Sequence, residues 1–199
     1  MIDRLVIFGG TGDLTGRYLL PALAALATRG HLSERFELVC ASREDWNDEQ
    51  LRSWAAGWLE REAARVDAGA RTTLVNRSRY QRLDLADSAG VTACLSGEGP
   101  VAVYLALPPA VFPAAVSALH QAGLPADSQV VLEKPFGEDL ESARALNRLL
   151  AELVDERHVF RVDHFLAMTT VQNVLGTRLA NRVLEPIWNS AHIDEVEII

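Results

Sequence analysis

The sequence has 199 residues, enough for one large domain or for one domain and part of another. Because 49% of the residues are hydrophobic, the chain can bury a sizeable core. The 19 basic and 27 acidic residues give a formal net charge of -8, which argues against nucleic acid as the main partner.

Targeting and redox features are few. The N-terminal residues lead directly into a predicted strand, so no signal peptide is expected. No apolar run approaches the roughly 20 residues needed to cross a bilayer. Cys40 and Cys94 lie in apolar surroundings without metal-ligand spacing, so we expect buried free thiols and no metal site. These features predict a cytoplasmic protein with no membrane partner.

The first predicted element is a buried strand from Leu5 to Phe8, followed by a glycine turn and a helix. The turn, Gly-Gly-Thr-Gly-Asp-Leu over residues 9–14, approximates the dinucleotide fingerprint G-x-G-x-x-G. Thr15 stands where the third glycine would be. The positive end of the following helix suits a phosphate. The alternative is a tight strand-to-helix turn that binds no ligand.

A second strand is predicted over residues 36–41, and polar residues follow its carboxyl end. In a nucleotide-binding βαβ unit this end faces the adenosine ribose. Arg43 suits a ribose 2′-phosphate because its guanidinium offers paired donors, whereas Glu44 suits the ribose hydroxyls. The alternative for Arg43 is a helix cap or an ion pair with Asp45.

The middle of the chain continues the alternation of strands and helices. Its patterns predict a helix over 47–66, a polar connection over 67–77, a strand over 80–85, a helix over 86–95, a strand over 101–106 and a helix over 110–122. Three tryptophans are expected to pack in the core, because a stripe at their spacing is more often core than ligand site: Trp46, Trp54 and Trp58. The segment Ala106-Leu107-Pro108-Pro109 either touches the nicotinamide side of a cofactor or forms a plain strand-to-helix turn.

Two further strands end in polar residues. A strand over 129–132 precedes Glu133, Lys134 and Pro135, and a lysine pinned by a proline at a strand end is well placed to meet a substrate. A helix is predicted from 140 to 153. The next strand leads into Asp163 and His164, which can orient one another for proton transfer or bind an anion. The alternative is a capping aspartate and a surface histidine.

These elements predict an α/β fold, a Rossmann-like doubly wound parallel sheet with strand order 3-2-1-4-5-6 and helices on both faces. Residues 1–164 are expected to form this dinucleotide-binding domain. A helix over 170–182, an irregular segment over 183–189 and an alternating strand over 192–199 follow. Because one strand cannot build a sheet, residues 165–199 are predicted to begin a truncated α+β substrate domain.

Three motifs together resemble the signatures of the glucose-6-phosphate dehydrogenase family. They are Gly9-Gly10-Thr11-Gly12-Asp13-Leu14, Glu133-Lys134-Pro135-Phe136-Gly137 and Arg161-Val162-Asp163-His164-Phe165-Leu166. The segments at 104–109, 171–173, 178–182 and 186–189 also match. The resemblance covers essentially the whole chain, in order.

The resemblance implies an oxidoreductase that passes a hydride from C1 of a sugar phosphate to NADP and gives the lactone, as in the oxidative pentose phosphate pathway. It implies that the cofactor is held by Gly9, Gly10, Thr11, Gly12, Asp13 and Leu14, by Arg43 at the 2′-phosphate, and by Ala106, Leu107, Pro108 and Pro109 on the nicotinamide side. Lys134 is assigned a catalytic role and would contact substrate and cofactor, with Pro135 positioning both. His164 would bind the sugar phosphate, and Asp163 of the same motif is assigned a catalytic role.

The sequence departs from the family pattern after His164. The family continues with tyrosine, leucine, glycine and lysine, whereas this chain has Phe165, Leu166, Ala167 and Met168. The hydroxyl and the charge that bind phosphate in the family are therefore missing. Glu44 beside Arg43 leaves NAD possible as a cofactor.

The family's general base is a histidine in the large domain after this segment. It is expected beyond Ile199, so this chain alone is expected to be inactive, and a homo-oligomer through that domain is possible. Two alternatives stay open. One is a truncated, non-catalytic NADP-binding protein, and the other is a related dehydrogenase with a different sugar substrate.

Overall fold

The structure, a computed structural model, describes residues 2–197. Its central feature is a sheet of six parallel strands: β1 (Arg4–Phe8), β2 (Glu37–Ser42), β3 (Ser78–Arg82), β4 (Ala102–Leu105), β5 (Gln129–Glu133) and β6 (Val159–Val162). Their order is β3-β2-β1-β4-β5-β6, which confirms the predicted order. The direction of winding reverses between β1 and β4, where ligands of open α/β sheets bind.

The described part of the chain forms seven α-helices, six in residues that precede Asp163 and one after it. They are α1 (Leu20–Thr28), α2 (Asp48–Glu62), α3 (Ala68–Asn76), α4 (Ser88–Leu95), α5 (Phe112–Ala122), α6 (Leu140–Leu153) and α7 (Thr169–Ala180). The helix predicted after the glycine turn starts at residue 13, and Thr15–Leu19 forms a π-helical turn within it, before α1.

Residues 67–77, predicted to be a polar connection, contain α3, so that prediction was wrong. The carboxylate of Asp67 caps the helix by accepting a hydrogen bond of 2.8 Å from the amide of Ala70. Leu74 is buried in the core. Because Leu74 and Val75 are the only large apolar residues in the segment, it shows no helical period.

Two apolar clusters, one on each face of the sheet, form the core of this fold. Val6 and Phe8 of β1 belong to one cluster and Ile7 to the other, because successive strand side chains point to opposite faces. Residues of α4, α5 and α6 complete the first cluster, and residues of α1, α2 and α3 complete the second. Cys40 and Cys94 are buried free thiols, as predicted.

The predicted packing of the tryptophans is also confirmed. Trp46, Trp54 and Trp58 lie against the second cluster, with ring centroids 6.1 Å and 6.3 Å apart along the series. No helix within residues 2–197 is long and apolar enough to span a bilayer.

The chain divides into two compact units, the first ending at Val162 and the second beginning at Asp163. The second unit contains a 3-10 turn at His164–Ala167, helix α7 and a 3-10 turn at Glu185–Ile187. None of its described residues, 163–197, is buried.

The strand predicted over 192–199 does not form in residues 192–197, because a strand is stable only when it is paired. Residues 198 and 199 lie outside the described part. That residues 165–199 begin an α+β substrate domain remains a prediction.

Candidate cofactor-binding site

The glycine turn brings the carboxyl ends of three strands close together. Gly9 has a φ of +83°, and an added Cβ atom there would lie 2.2 Å from the carbonyl oxygen of Ala106. An added Cβ atom on Gly10 would lie 2.6 Å from the Cα atom of Cys40. The amides of Gly9 and Gly10 both donate to the carbonyl oxygen of Ala41, at 2.8 and 3.1 Å. The two glycines are therefore required by the packing of β1 against β2 and β4.

Thr15 replaces the third glycine of the fingerprint without leaving a buried polar group unpaired. Its side chain is fully buried, and its hydroxyl donates to the carbonyl oxygen of Gly9 at 3.2 Å. Gly16 follows, and an added Cβ atom there would lie 2.5 Å from the Trp58 ring. Gly16 therefore makes the close contact with α2, one position later than the third glycine of the fingerprint.

The end of β2 is tied to the glycine turn by two hydrogen bonds. The amide of Thr11 donates to the Ser42 hydroxyl at 3.1 Å, and the Thr11 hydroxyl donates to the Glu44 carboxylate at 3.0 Å. The Tyr80 hydroxyl lies 2.9 Å from the carbonyl oxygen of Ser42 and 2.5 Å from that of Glu44. Burial, together with the Glu44 charge, raises the pKa of Tyr80 to about 12, so this hydroxyl stays protonated and can donate at neutral pH.

Arg43 lies between Ser42 and Glu44, and together with the glycine turn it lines a pocket at the carboxyl ends of the strands. The ion pair with Asp45 that was its alternative role is not formed, because Asp45 faces Arg82 at 3.9 Å. Within residues 2–197, Arg43 takes part in no ion pair.

These elements enclose a cavity of about 330 Å³ at the carboxyl ends of the strands. Its lining consists of Gly9, Thr11 and Gly12 of the turn, residues 41–44 after β2, Leu83 and Leu85 after β3, Ala106, Leu107 and Pro108 after β4, and Val111. The volume lies within the range of roughly 300–1,000 Å³ that is usual for ligand sites. Most of the predicted cofactor residues are therefore brought together in one place.

Five predicted cofactor residues do not line this cavity: Gly10, Asp13, Leu14, Pro109 and Lys134. Gly10 packs against β2, Leu14 packs against the second core cluster, and the Asp13 carboxylate pairs with Arg17 at 3.2 Å. Five lining residues were missed from the sequence: Ala41, Ser42, Leu83, Leu85 and Val111. The alternation of Leu83 and Leu85 just past β3 was the available signal, because it places apolar side chains at the carboxyl edge of the sheet.

Lys134 lies at the end of β5, as predicted, and its side chain is exposed. Its amide donates to the carbonyl oxygen of Val162 at 3.3 Å, and its peptide bond to Pro135 is cis. The hydroxyl of Tyr104 on β4 donates to the carboxylate of Glu133, the residue before Lys134. Burial and this hydrogen bond raise the pKa of Tyr104, so the hydroxyl remains a donor at neutral pH.

Asp163 and His164 belong to the second unit rather than to the unit that contains the cavity. The Asp163 carboxylate accepts a hydrogen bond of 2.9 Å from the amide of Phe165 and caps the short 3-10 turn. This is the structural alternative that the sequence left open for the aspartate. His164, Phe165 and Met168 are exposed.

Comparisons with known proteins agree with this geometry. Residues 6–173 match the family model described as glucose-6-phosphate dehydrogenase, NAD binding domain. The chain is 38% identical over 204 residues to a glucose-6-phosphate 1-dehydrogenase of Zymomonas mobilis subsp. mobilis, covering 99% of this chain and 42% of that protein. It is also 38% identical over 205 residues to that of Mycolicibacterium smegmatis, covering 97% and 41%.

Two solved structures are similar to the whole described fold. One is a glucose-6-phosphate dehydrogenase in complex with its substrate glucose 6-phosphate, with a TM-score of 0.81 and 28% identity over 96% of this chain and 42% of that one. The other is a glucose-6-phosphate 1-dehydrogenase from Mycobacterium avium, with a TM-score of 0.81 and 33% identity over the same shares. The chain thus spans about two-fifths of the length of these relatives. It belongs to the glucose-6-phosphate dehydrogenase family and carries that family's nicotinamide cofactor-binding domain.

Proposed function

We propose that the cavity at the carboxyl ends of β1, β2 and β4 binds NADP, and that the chain is the cofactor half of a sugar-phosphate dehydrogenase. The observation that carries the proposal is the position of Arg43 in the cavity wall. Arg43 lines the cavity beside the glycine turn, and its guanidinium takes part in no ion pair within residues 2–197. A planar guanidinium with parallel N–H groups is suited to a ribose 2′-phosphate.

The residues of the turn fit a dinucleotide. The amides of Gly9, Gly10, Thr11 and Gly12 already donate to protein acceptors. We therefore assign the pyrophosphate to the next amides along the chain, those of Asp13 and Leu14, where the positive end of a helix favours an anion. The Asp13 side chain pairs with Arg17, and the Leu14 side chain packs against the second core cluster. Only the backbone of these two residues is therefore proposed to bind.

The apolar parts of the cavity fit the rings of a dinucleotide. Leu83 and Leu85 lie beyond β3, on the side of Arg43, where an adenine would stack. Ala106, Leu107 and Pro108 line the β4 side and are assigned to the nicotinamide ring. A bound nicotinamide ring supplies the hydride acceptor.

Lys134 and His164 are assigned to the substrate. An exposed lysine held at the end of β5 would bind a sugar hydroxyl or phosphate and keep the sugar oriented. His164 would bind the sugar phosphate, and Asp163 would support it by fixing the 3-10 turn in which the histidine lies. Glucose 6-phosphate is the proposed sugar, because one similar solved structure is described as a complex with it.

A second candidate function follows from Phe165 and Met168. These exposed apolar side chains stand where the family motif has a tyrosine and a lysine that bind phosphate. Losing one hydrogen bond to a charged group costs about 1.5–3 kcal/mol, so losing two weakens phosphate binding by about a hundredfold or more. A sugar with less negative charge, or nucleotide binding without a sugar phosphate, would suit these residues better.

Calorimetric titration of the chain with NADP and with NAD tests the proposal. We expect NADP to bind more tightly and Arg43→Ala to weaken NADP by about tenfold or more while changing NAD little. Arg82→Ala is the matched control, because it removes an exposed arginine from the same edge of the sheet but outside the cavity. Equal affinities for the two nucleotides, or equal losses in the two variants, would remove the role assigned to Arg43.

A further inference from the structure

We propose that a second pocket, at the amino-terminal ends of β1, β2 and β3, binds a small phosphate monoester that carries hydroxyl groups. This pocket, the amino-edge pocket, has a volume of about 540 Å³, and three arginines line it: Arg4, Arg35 and Arg79. Because the strands are parallel, it lies at the edge of the sheet opposite the cavity assigned to the dinucleotide. The site is therefore separate from the proposed function.

The buried charge of Arg4 carries the inference. Arg4 begins β1, and only 5% of its surface is exposed. Its guanidinium donates to the carbonyl oxygens of Ser96 and Glu98, the latter at 3.3 Å, whereas its Nε atom is buried and donates to no atom of the described residues. Within residues 2–197, Arg4 takes part in no ion pair. A buried charge is costly unless an opposite charge compensates it, and an anion in the amino-edge pocket would do so.

The turn after α4 is shaped around this guanidinium. Gly97 has a φ of +130°, in the region that favours glycine, and an added Cβ atom there would collide with the Arg4 guanidinium. Ser96 and Glu98, on either side of Gly97, supply the two carbonyl oxygens that Arg4 contacts. The turn therefore holds Arg4 in place, and the other N–H groups of its guanidinium are available to an anion.

Arg79 and Arg35 add positive charge to the same pocket. Arg4 pairs in register with Glu37, and Arg79 pairs with Val39, so Arg4, Glu37 and Arg79 lie on one face of the sheet. Arg79 donates through Nε to the Glu37 carboxylate at 2.7 Å. Arg35 is exposed and takes part in no ion pair in the described part of the chain. Guanidinium groups bind phosphate through paired N–H groups, so a phosphate is the group that these arginines fit.

Two carboxylates, those of Asp3 and Glu98, also line the pocket, and their charge disfavours a bare anion. Neither forms an ion pair within residues 2–197. Because carboxylates accept hydrogen bonds from hydroxyl groups, they suit the body of a ligand whose phosphate lies on the arginines. The volume, within the usual range for small-molecule sites, leaves room for more than a phosphate group. The lining therefore favours a hydroxylated phosphate ester over inorganic phosphate.

Calorimetric titration of the whole chain with glycerol 3-phosphate, inorganic phosphate and glycerol tests the proposal. We expect glycerol 3-phosphate to bind more tightly than inorganic phosphate, and glycerol not to bind. Arg35→Ala, which removes an exposed side chain, should weaken glycerol 3-phosphate by about tenfold or more. Arg65→Ala is the matched control, because it removes an exposed arginine outside the pocket, and a change of less than about twofold is expected.

Nuclear magnetic resonance can follow Arg4 without altering it. In a titration with glycerol 3-phosphate, the Arg4 Nε–H signal, identified by its loss in Arg4→Lys, should shift and saturate at the affinity found by calorimetry. The backbone amides of Gly97 and Glu98 should shift with it. An Arg4 signal that stays in place while the ligand binds would overturn the proposal.

Arg43→Ala separates the two sites. If glycerol 3-phosphate is weakened by Arg43→Ala rather than by Arg35→Ala, its phosphate lies in the dinucleotide cavity, this inference is wrong, and the proposed function stands. No binding by the wild-type chain, equal losses in Arg35→Ala and Arg65→Ala, or equal affinities for glycerol 3-phosphate and inorganic phosphate would also overturn it. If glycerol 3-phosphate binds as expected but NADP does not bind, the proposed function fails and this inference stands.

Discussion

Polar side chains are held differently in two regions of the molecule. One region is the cavity wall, which lies in the first unit, and the other is the second unit. Around the cavity, Thr11, Glu44 and Tyr80 bond across three separate segments of the chain, and Tyr80 belongs to the core. In the second unit, the Asp163 carboxylate accepts from the amide of Phe165, two residues away, and the Gln172 side chain of α7 donates to the carbonyl oxygen of Leu166, six residues away. The cavity wall is therefore built into a framework of tertiary contacts, whereas these two hydrogen bonds of the second unit join residues near one another in sequence.

Apolar side chains show the same contrast. The first unit buries two clusters, and its large side chains Leu119 and Leu150 are 0% and 1% exposed. On α7 of the second unit, Leu179 is 70% exposed and Val174 is 47% exposed. Because most helical stability in proteins comes from packing of an apolar face, the two units are expected to respond very differently to mutation.

The largest expected effect comes from truncating a core leucine of the first unit. Leu119→Ala should lower the free energy of unfolding by about 2–5 kcal/mol, because it leaves a cavity in a fully buried cluster. Leu179→Ala, the same change on α7, should alter it by about 0.5 kcal/mol or less. Urea unfolding followed by circular dichroism measures both, and comparable losses would refute the contrast.

A smaller loss is expected from adding one methyl group to the glycine turn. Gly10→Ala should cost about 1–3 kcal/mol, since the new Cβ atom would collide with the backbone of Cys40. Gly57→Ala on α2 is the control. Nothing lies within 4 Å of its Cβ position, so we expect it to stabilise the helix by about 0.5–1 kcal/mol. The same unfolding assay applies, and an unaffected Gly10→Ala variant would mean that β1 and β2 do not meet as described.

The smallest expected effect on the free energy of unfolding at neutral pH comes from the buried thiols of the first unit. Burial raises the pKa of Cys40 from its ordinary value of 9.0 to about 12. The folded state then keeps a proton that the unfolded state releases, so stability is full below pH 9 and falls as the pH rises towards 12. Thermal melts between pH 8 and pH 12 should show this fall. Cys40→Ala should make it shallower and leave the part that comes from Cys94, because burial also raises the pKa of Cys94 to about 12. A wild-type profile that rises over this range would contradict the burial of the thiol.

Much of the first unit was predictable, because buried parallel strands are runs of apolar residues closed by glycine or proline. The run before Gly9 and the run before Pro108 predicted two strands of the sheet, and the doubly wound pattern with right-handed crossovers predicted the strand order. The position of Arg43 after β2 likewise placed it at the cavity. Signals of this kind are local and periodic, and the sheet topology follows from them.

The missed features depend on contacts that no local pattern carries. Helix α3 is held by the cap at Asp67 and a single buried leucine, too little to give a period. The Asp13 side chain turns away to Arg17, so its predicted place in the site is reduced to its backbone. The hydrogen bond between Thr11 and Glu44 joins residues 33 positions apart, and only the folded chain reveals it.

The central claim is that a nicotinamide dinucleotide binds in the first unit, across the carboxyl ends of β1, β2 and β4. Chemical shift changes of backbone amides during an NADP titration test it most directly. We expect the largest changes at Thr11, Asp13 and Leu14 in the turn, at Arg43, and at Leu107. Changes centred instead on the groove between α2 and α3, around Arg71 and Val75, or no saturable changes at all, would contradict it.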